Sequence, residues 1–175
     1  MNISATVGAM EDTLRANRYD GIPIYATVLS TASYVPGLDL LSTSLRASGA
    51  TSPLLVLTTL TSIPEEESLS RCLNIIFARV PHIVNPYRQR EPRSMSRFAY
   101  TMDKLWAFAV PTSRLLLIDL DVFVRSSPEA LLHRSMPAWL PLLAASELCG
   151  FNTGVMLLQP WGGSGGAWGF GGKKQ

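Results

Sequence analysis

The stretch from Arg114 to Val124, reading Arg-Leu-Leu-Leu-Ile-Asp-Leu-Asp-Val-Phe-Val, constrains this chain more than any other. Four large apolar residues in a row, Leu115 to Ile118, suit a strand covered on both faces, the habit of parallel sheets packed between helices. That strand is predicted to carry Asp119 and Asp121 at its carboxyl end. Residues two apart in an extended segment point the same way, so both carboxylates are expected on one face. Like charges that close repel unless a cation compensates. A hard divalent cation, alone or shared with the ribose and diphosphate of a nucleotide, is one physical reason for such a pair. Two acids opening a surface turn are the ordinary alternative. Open α/β sheets bind ligands at the carboxyl ends of their strands, and the pair would sit there.

The flanking pattern supports such a sheet. Residues 23–29 read as a buried strand running into the turn Ser30-Thr31-Ala32-Ser33. Leu38, Leu41 and Leu45 mark one helix face over residues 38–48, with Gly49 as its left-handed end. Residues 53–59 form a second apolar strand. A helix is predicted over 65–73, with Glu65, Glu66 and Glu67 in its first turn and Leu69, Cys72 and Leu73 facing inward. Another strand is expected around residues 82–84. Met102, Leu105, Trp106 and Ala109 mark a further helix face, closed by Pro111. After the two acids, Ser127-Pro128-Glu129 supplies a cap, a first-turn proline and a first-turn acid, so a helix is predicted to start there. Alternating strands and helices with crossovers of this length indicate an α/β fold with a mostly parallel sheet.

Composition removes several function classes. Of 175 residues, 47% are apolar and 16% charged, enough for a packed core and against a disordered chain. Fifteen Lys and Arg against thirteen Asp and Glu leave a net charge of +2, too small to indicate nucleic acid as a partner. Cys72 and Cys149 stand far apart with no CxxC spacing, so neither a zinc knuckle nor a disulfide framework is encoded, and a reduced compartment is the simpler expectation. No apolar run approaches the roughly 20 residues needed to span a bilayer. A cytoplasmic location follows as an expectation, with the Golgi as the alternative if an N-terminal anchor precedes this sequence. Residues 1–21 read as a lead-in, 22–160 as the domain, and the glycine-crowded residues 161–175 as a flexible tail. The basic, proline-broken loop at 85–97 reads as a solvated surface segment or as an anion-facing one, since Arg suits phosphate and carboxylate.

Several segments in order carry a resemblance: Tyr25-Ala26-Thr27-Val28-Leu29; Tyr34-Val35-Pro36-Gly37 ahead of Ser44-Leu45; 54–59; Lys104-Leu105-Trp106-Ala107-Phe108; the Asp119 to Asp121 stretch; and Phe151-Asn152-Thr153-Gly154 running to Pro160. Together they resemble glycosyltransferase family 8, the glycogenin-like retaining transferases that use UDP-sugars and manganese (Mn2+). The resemblance spans about 23–160. It implies a three-layer nucleotide-diphospho-sugar transferase fold of the GT-A, Rossmann-like type with its C-terminal part missing. It also implies transfer of a hexosyl group from a UDP-sugar donor to a carbohydrate, polyol or protein acceptor.

By the same resemblance, Leu29, Thr31 and Tyr34 occupy the places that hold uracil and ribose, Tyr34 as the stacking aromatic. Lys104 matches the lysine near the donor diphosphate and sugar. Asp119 matches the acid near the ribose and metal, and Asp121 the principal metal ligand. Asn152, Thr153 and Gly154 match the lining of the sugar pocket, with Lys104 and Asn152 in the catalytic roles. A donor arginine falls at Arg93 or Arg97. The departures are Thr31 and Ala32 where members carry Asn-Asp, and the lack of both the Asp-Gln-Gly segment and the late His-x-x-Gly-x-x-Lys-Pro-Trp segment that supplies a histidine ligand. His82 and His133, the only histidines, lie in other contexts. A non-catalytic nucleotide-sugar-binding remnant is therefore the rival expectation.

Overall fold

The computed structural model describes residues 2–19, 21–85, 100–147 and 150–160. Helix α1 (Ile3–Ala16) precedes strand β1 (Ile24–Leu29), helix α2 (Val35–Ala47), strand β2 (Leu54–Thr58), helix α3 (Glu66–Leu73) and strand β3 (Ile75–Arg79). A 3-10 segment (Thr101–Ala109), strand β4 (Leu115–Ile118), the one-turn helix α4 (Glu129–Leu132) and strands β5 (Leu142–Glu147) and β6 (Gly150–Leu158) follow. The six strands form one sheet in the order β3-β2-β1-β4-β6-β5. β3, β2, β1 and β4 are parallel neighbours, while β6 runs antiparallel to both β4 and β5. The mostly parallel α/β sheet expected from the sequence is the one observed.

Period-two alternation sends side chains of each strand to opposite faces, and both faces are covered. Ile24, Ala26, Leu115 and Leu117 pack with Met10 and Leu14 of α1 and Trp106 of the 3-10 segment. Tyr25, Leu29, Leu116 and Ile118 pack on the other side with Leu38, Leu41 and Leu45 of α2 and Leu132 of α4. This is a helix-sheet-helix sandwich with two apolar layers. Burying a Leu-sized side chain contributes roughly 1.5–3 kcal/mol against the entropy of ordering it.

Several local expectations change. Where a lead-in was expected, Ile3–Ala16 is a helix capped by the Asn2 side chain, and its Met10 and Leu14 are fully buried. Two core contacts a helical turn apart suffice to dock it, but they are too few to show as a stripe. The third strand lies at Ile75–Arg79 and not around 82–84, because Asn74 takes a left-handed conformation (φ 52°) that ends α3 and turns the chain straight into the sheet. Glu65, also left-handed at φ 58°, precedes α3 and does not belong to its first turn, and Cys72 is exposed. The predicted helix face at 102–109 becomes 3-10, with Trp106 buried and Leu105 exposed. Pro128, not Ser127, stands at the cap of α4, and no side chain caps that helix. The glycine-rich tail and Arg93 and Arg97 lie outside the described residues.

Candidate functional site

In the order β3-β2-β1-β4, the chain leaves β1 for β2 on one side and reaches β4 on the other. A crevice therefore opens between the carboxyl ends of β1 and β4. A cavity of about 170 Å³ lies there, lined by Ser30, Thr31 and Tyr34 after β1, by Tyr100 and Lys104, and by Asp119 and Asp121 after β4.

β4 ends at Ile118, one residue before the acids. The Asp119 N–H donates to the Gly154 carbonyl at 2.8 Å, and the Val122 N–H donates back to the Asp119 carbonyl at 3.2 Å, closing a turn. The strand alternation predicted to put both acids on one face thus does not apply. A turn, not a pleat, delivers both carboxylates to the same cavity. The apolar look of Val122-Phe123-Val124 hid it, although Phe123 is exposed. Gly37 makes the turn possible: a Cβ there would lie 2.7 Å from the Leu120 carbonyl oxygen, so α2 approaches the turn as closely as it does only with glycine. From beyond the turn, the Val124 N–H donates to Ser44 Oγ at 3.2 Å, tying the exit of the turn to the same helix.

Lys104 Nζ lies 2.7 Å from Asp119 Oδ2, in a pair only partly open to solvent, and 3.4 Å from Thr153 Oγ1. Asp121 is exposed, and among the described residues it has no hydrogen-bond or ion-pair partner. The Gly154 backbone backs Asp119, and the Gly154 N–H donates to Asn152 Oδ1 at 2.6 Å. Lys104, Thr153 and Gly154 therefore converge on Asp119, while Thr31, Tyr34 and Asp121 share its cavity. Leu29 does not join them. Its side chain is fully buried in the core, and its carbonyl accepts from Thr58 Oγ1 at 2.7 Å. Asn152 lies on the exposed first half of β6, with its side-chain oxygen accepting from the Gly154 N–H. His133 is exposed, 3.2 Å from Glu129 Oε2.

One constellation escaped the sequence. Asp103 is fully buried and accepts from Ser30 Oγ at 2.6 Å and from the Ile83 N–H at 2.7 Å. Its two oxygens lie 3.0 and 3.1 Å from His82 Nδ1. The His82 ring packs at a tilt against Tyr100, 5.1 Å between centroids. The available signal was an acid beside Lys104 in a segment otherwise destined for the core.

Carboxylate oxygens are hard donors, so Asp119 and Asp121 fit a divalent cation by chemistry. Among the described residues, no group of three His, Cys, Asp or Glu side chains is arranged to hold a metal by protein ligands alone. No helix among them is long and apolar enough to cross a membrane.

No family model matches this chain, and no curated protein matches it. Solved structures do. The galactosyltransferase LgtC, crystallised with donor and acceptor sugar analogs, is similar with a TM-score of 0.61 at 19% identity, over 77% of this chain and 57% of that one. The glycosyltransferase GlyE of Streptococcus pneumoniae TIGR4 gives 0.54 at 18% identity over 81% of this chain and 35% of its own. The bifunctional glycosyltransferase WbbM gives 0.54 at 13% over 80% and 31%. This chain has the GT-A glycosyltransferase fold. It spans a little over half the length of LgtC and about a third of the other two.

Proposed function

We propose that this chain is the nucleotide-sugar-binding part of a glycosyltransferase, glycogenin-like and of family 8, that transfers a hexosyl group from a UDP-sugar with the help of manganese. One observation carries the proposal: Lys104, Asp119 and Asp121 line a single cavity at the carboxyl ends of β1 and β4, with Tyr34 on its wall. Tyr34 offers a half-exposed aromatic face on which a base can stack. Asp119 and Asp121 would hold the cation, which supplies charge neutralisation for the leaving diphosphate. Lys104, already fixed by Asp119, adds a cation positioned beforehand near the same charge, and such preorganised electrostatics are the main catalytic effect available here. Thr153 and Gly154 would border the sugar, where glycine permits close approach. The acceptor class extends to carbohydrate, polyol or protein.

UDP-glucose, UDP-galactose and UDP-glucuronic acid incubated with the chain and manganese test this reading by release of UDP. Turnover that disappears in Asp121→Ala supports the enzyme. The pairing of Asp119 with Lys104, which engages one oxygen of the acid pair, favours a second reading, a binding module. UDP binding with no turnover of any UDP-sugar identifies it.

A further inference from the structure

Asp103 has no place in the proposed chemistry, yet it is fully buried one residue from Lys104 and touches the cavity wall through Ser30. A buried carboxylate is retained at a desolvation cost that only several good partners offset. Among the described residues Asp103 has three: the Ser30 hydroxyl, the Ile83 N–H and His82 Nδ1. Ser30 Oγ and the Ile83 N–H both donate to it, so the Ser30 proton is committed inward at 2.6 Å. Toward the cavity, Ser30 is left with lone pairs alone. The Ser30 carbonyl is held as well, accepting from Thr59 Oγ1 at 3.3 Å, so the residue is fixed at both ends.

We propose that Asp103 is a positioning and specificity residue of the nucleotide pocket: it turns Ser30 into an acceptor-only group that selects a ligand N–H or O–H at that point of the wall. The proposal rests on the nucleotide-sugar reading of the cavity. Uracil, with an N–H between two carbonyls, and ribose, with its hydroxyls, both carry donors of the kind required. In Asp103→Asn the amide has one acceptor oxygen for three donors and brings N–H groups of its own, so Ser30 turns its proton outward and meets the ligand donor head-on.

The test is calorimetric titration of UDP with manganese into the wild type, Ser30→Ala, Asp103→Asn and the double variant. Asp103→Asn is expected to weaken UDP binding about tenfold in the wild-type background and by less than twofold in the Ser30→Ala background, because Asp103 acts through Ser30. Equal losses in both backgrounds, or an unchanged affinity in Asp103→Asn, overturn the proposal. The tautomer of neutral His82 in the wild type, read from its ring nitrogen-15 shifts, gives an answer without any ligand or variant. Protonation at Nδ1 with a bare Nε2 is expected, and the reverse shows that Asp103 does not accept there and overturns the proton map. A wild-type chain that takes no UDP but shows the Nδ1–H tautomer sinks the donor reading and the selection of a nucleotide together, with the proton map intact.

Discussion

Two carboxylate corners on this sheet look alike in sequence and differ in what they leave unsatisfied. Glu129, at the start of α4, receives the backbone N–H groups of Thr51 and Ser52 at 2.7 and 2.9 Å and the Ser52 hydroxyl at 3.0 Å. Burial alone would raise its carboxyl, but these donors and the nearby Tyr25 hydroxyl outweigh that and hold it at about 2. Its lone pairs are taken up by the protein. Among the described residues, Asp119 and Asp121 have one ammonium between them, and they face a cavity. A carboxylate closed in by donors from its own chain ties elements together, whereas a pair held in place with oxygens facing a crevice has coordination to offer. The same functional group thus builds a latch at one corner and a candidate site at the other.

That contrast can be broken from either side. The largest effect is expected at Asp121. Its replacement by Ala should leave the free protein's melting temperature nearly unchanged and abolish the stabilisation by UDP with manganese, which amounts to about 2.7 kcal/mol at a hundredfold excess over Kd. A large drop in the free protein's stability would make Asp121 a latch like Glu129. Gly37→Ala should disturb both properties, because its Cβ meets the Leu120 carbonyl that shapes the acid turn. We expect a loss of about 1–3 kcal/mol in denaturant unfolding together with weaker UDP binding. Unchanged binding would show that the turn moves without carrying the acids.

Glu129→Gln should cost about 1–3 kcal/mol of stability with UDP affinity intact, since two backbone donors lose a charged acceptor. Its pH signature has a definite sign. The folded value of about 2 lies below the ordinary 4.5, so the stabilisation is complete above about pH 4.5 and fades as pH falls toward 2. Urea unfolding of the wild type across that window should show the loss, and the Gln variant should show a flatter profile. The smallest effect is expected at Tyr34, where replacement by Ala should weaken UDP binding about three- to tenfold through lost stacking. No change there would move the base elsewhere in the crevice.

Apolar runs made much of this legible beforehand. Ile24–Leu29, Leu54–Thr58 and Leu115–Ile118 are strands because they are buried on both faces, and Leu38, Leu41 and Leu45 announce α2 by spacing alone. The acids, Lys104, Tyr34 and Thr31 were legible as candidates and line one cavity, while their geometry was not legible. The turn at 119–122 is closed locally, from the Val122 N–H to the Asp119 carbonyl, but its first residue is anchored on Gly154 of β6, about 35 residues away, and local pattern cannot encode that. The direction of Leu29 was not legible, because a strand's last side chain goes to the core or to the crevice according to its face, and here it faces α2. α1 was missed because Met10 and Leu14 sit among Ala, Thr and Gly, and Asp103 because a charged side chain usually means solvent even in a segment otherwise destined for the core.

Calorimetry of UDP binding with and without manganese, on the wild type and Asp121→Ala, tests the central claim most directly. The account predicts that manganese tightens UDP binding at least tenfold in the wild type and has no effect in the variant. Equal affinities with and without manganese in the wild type would contradict it.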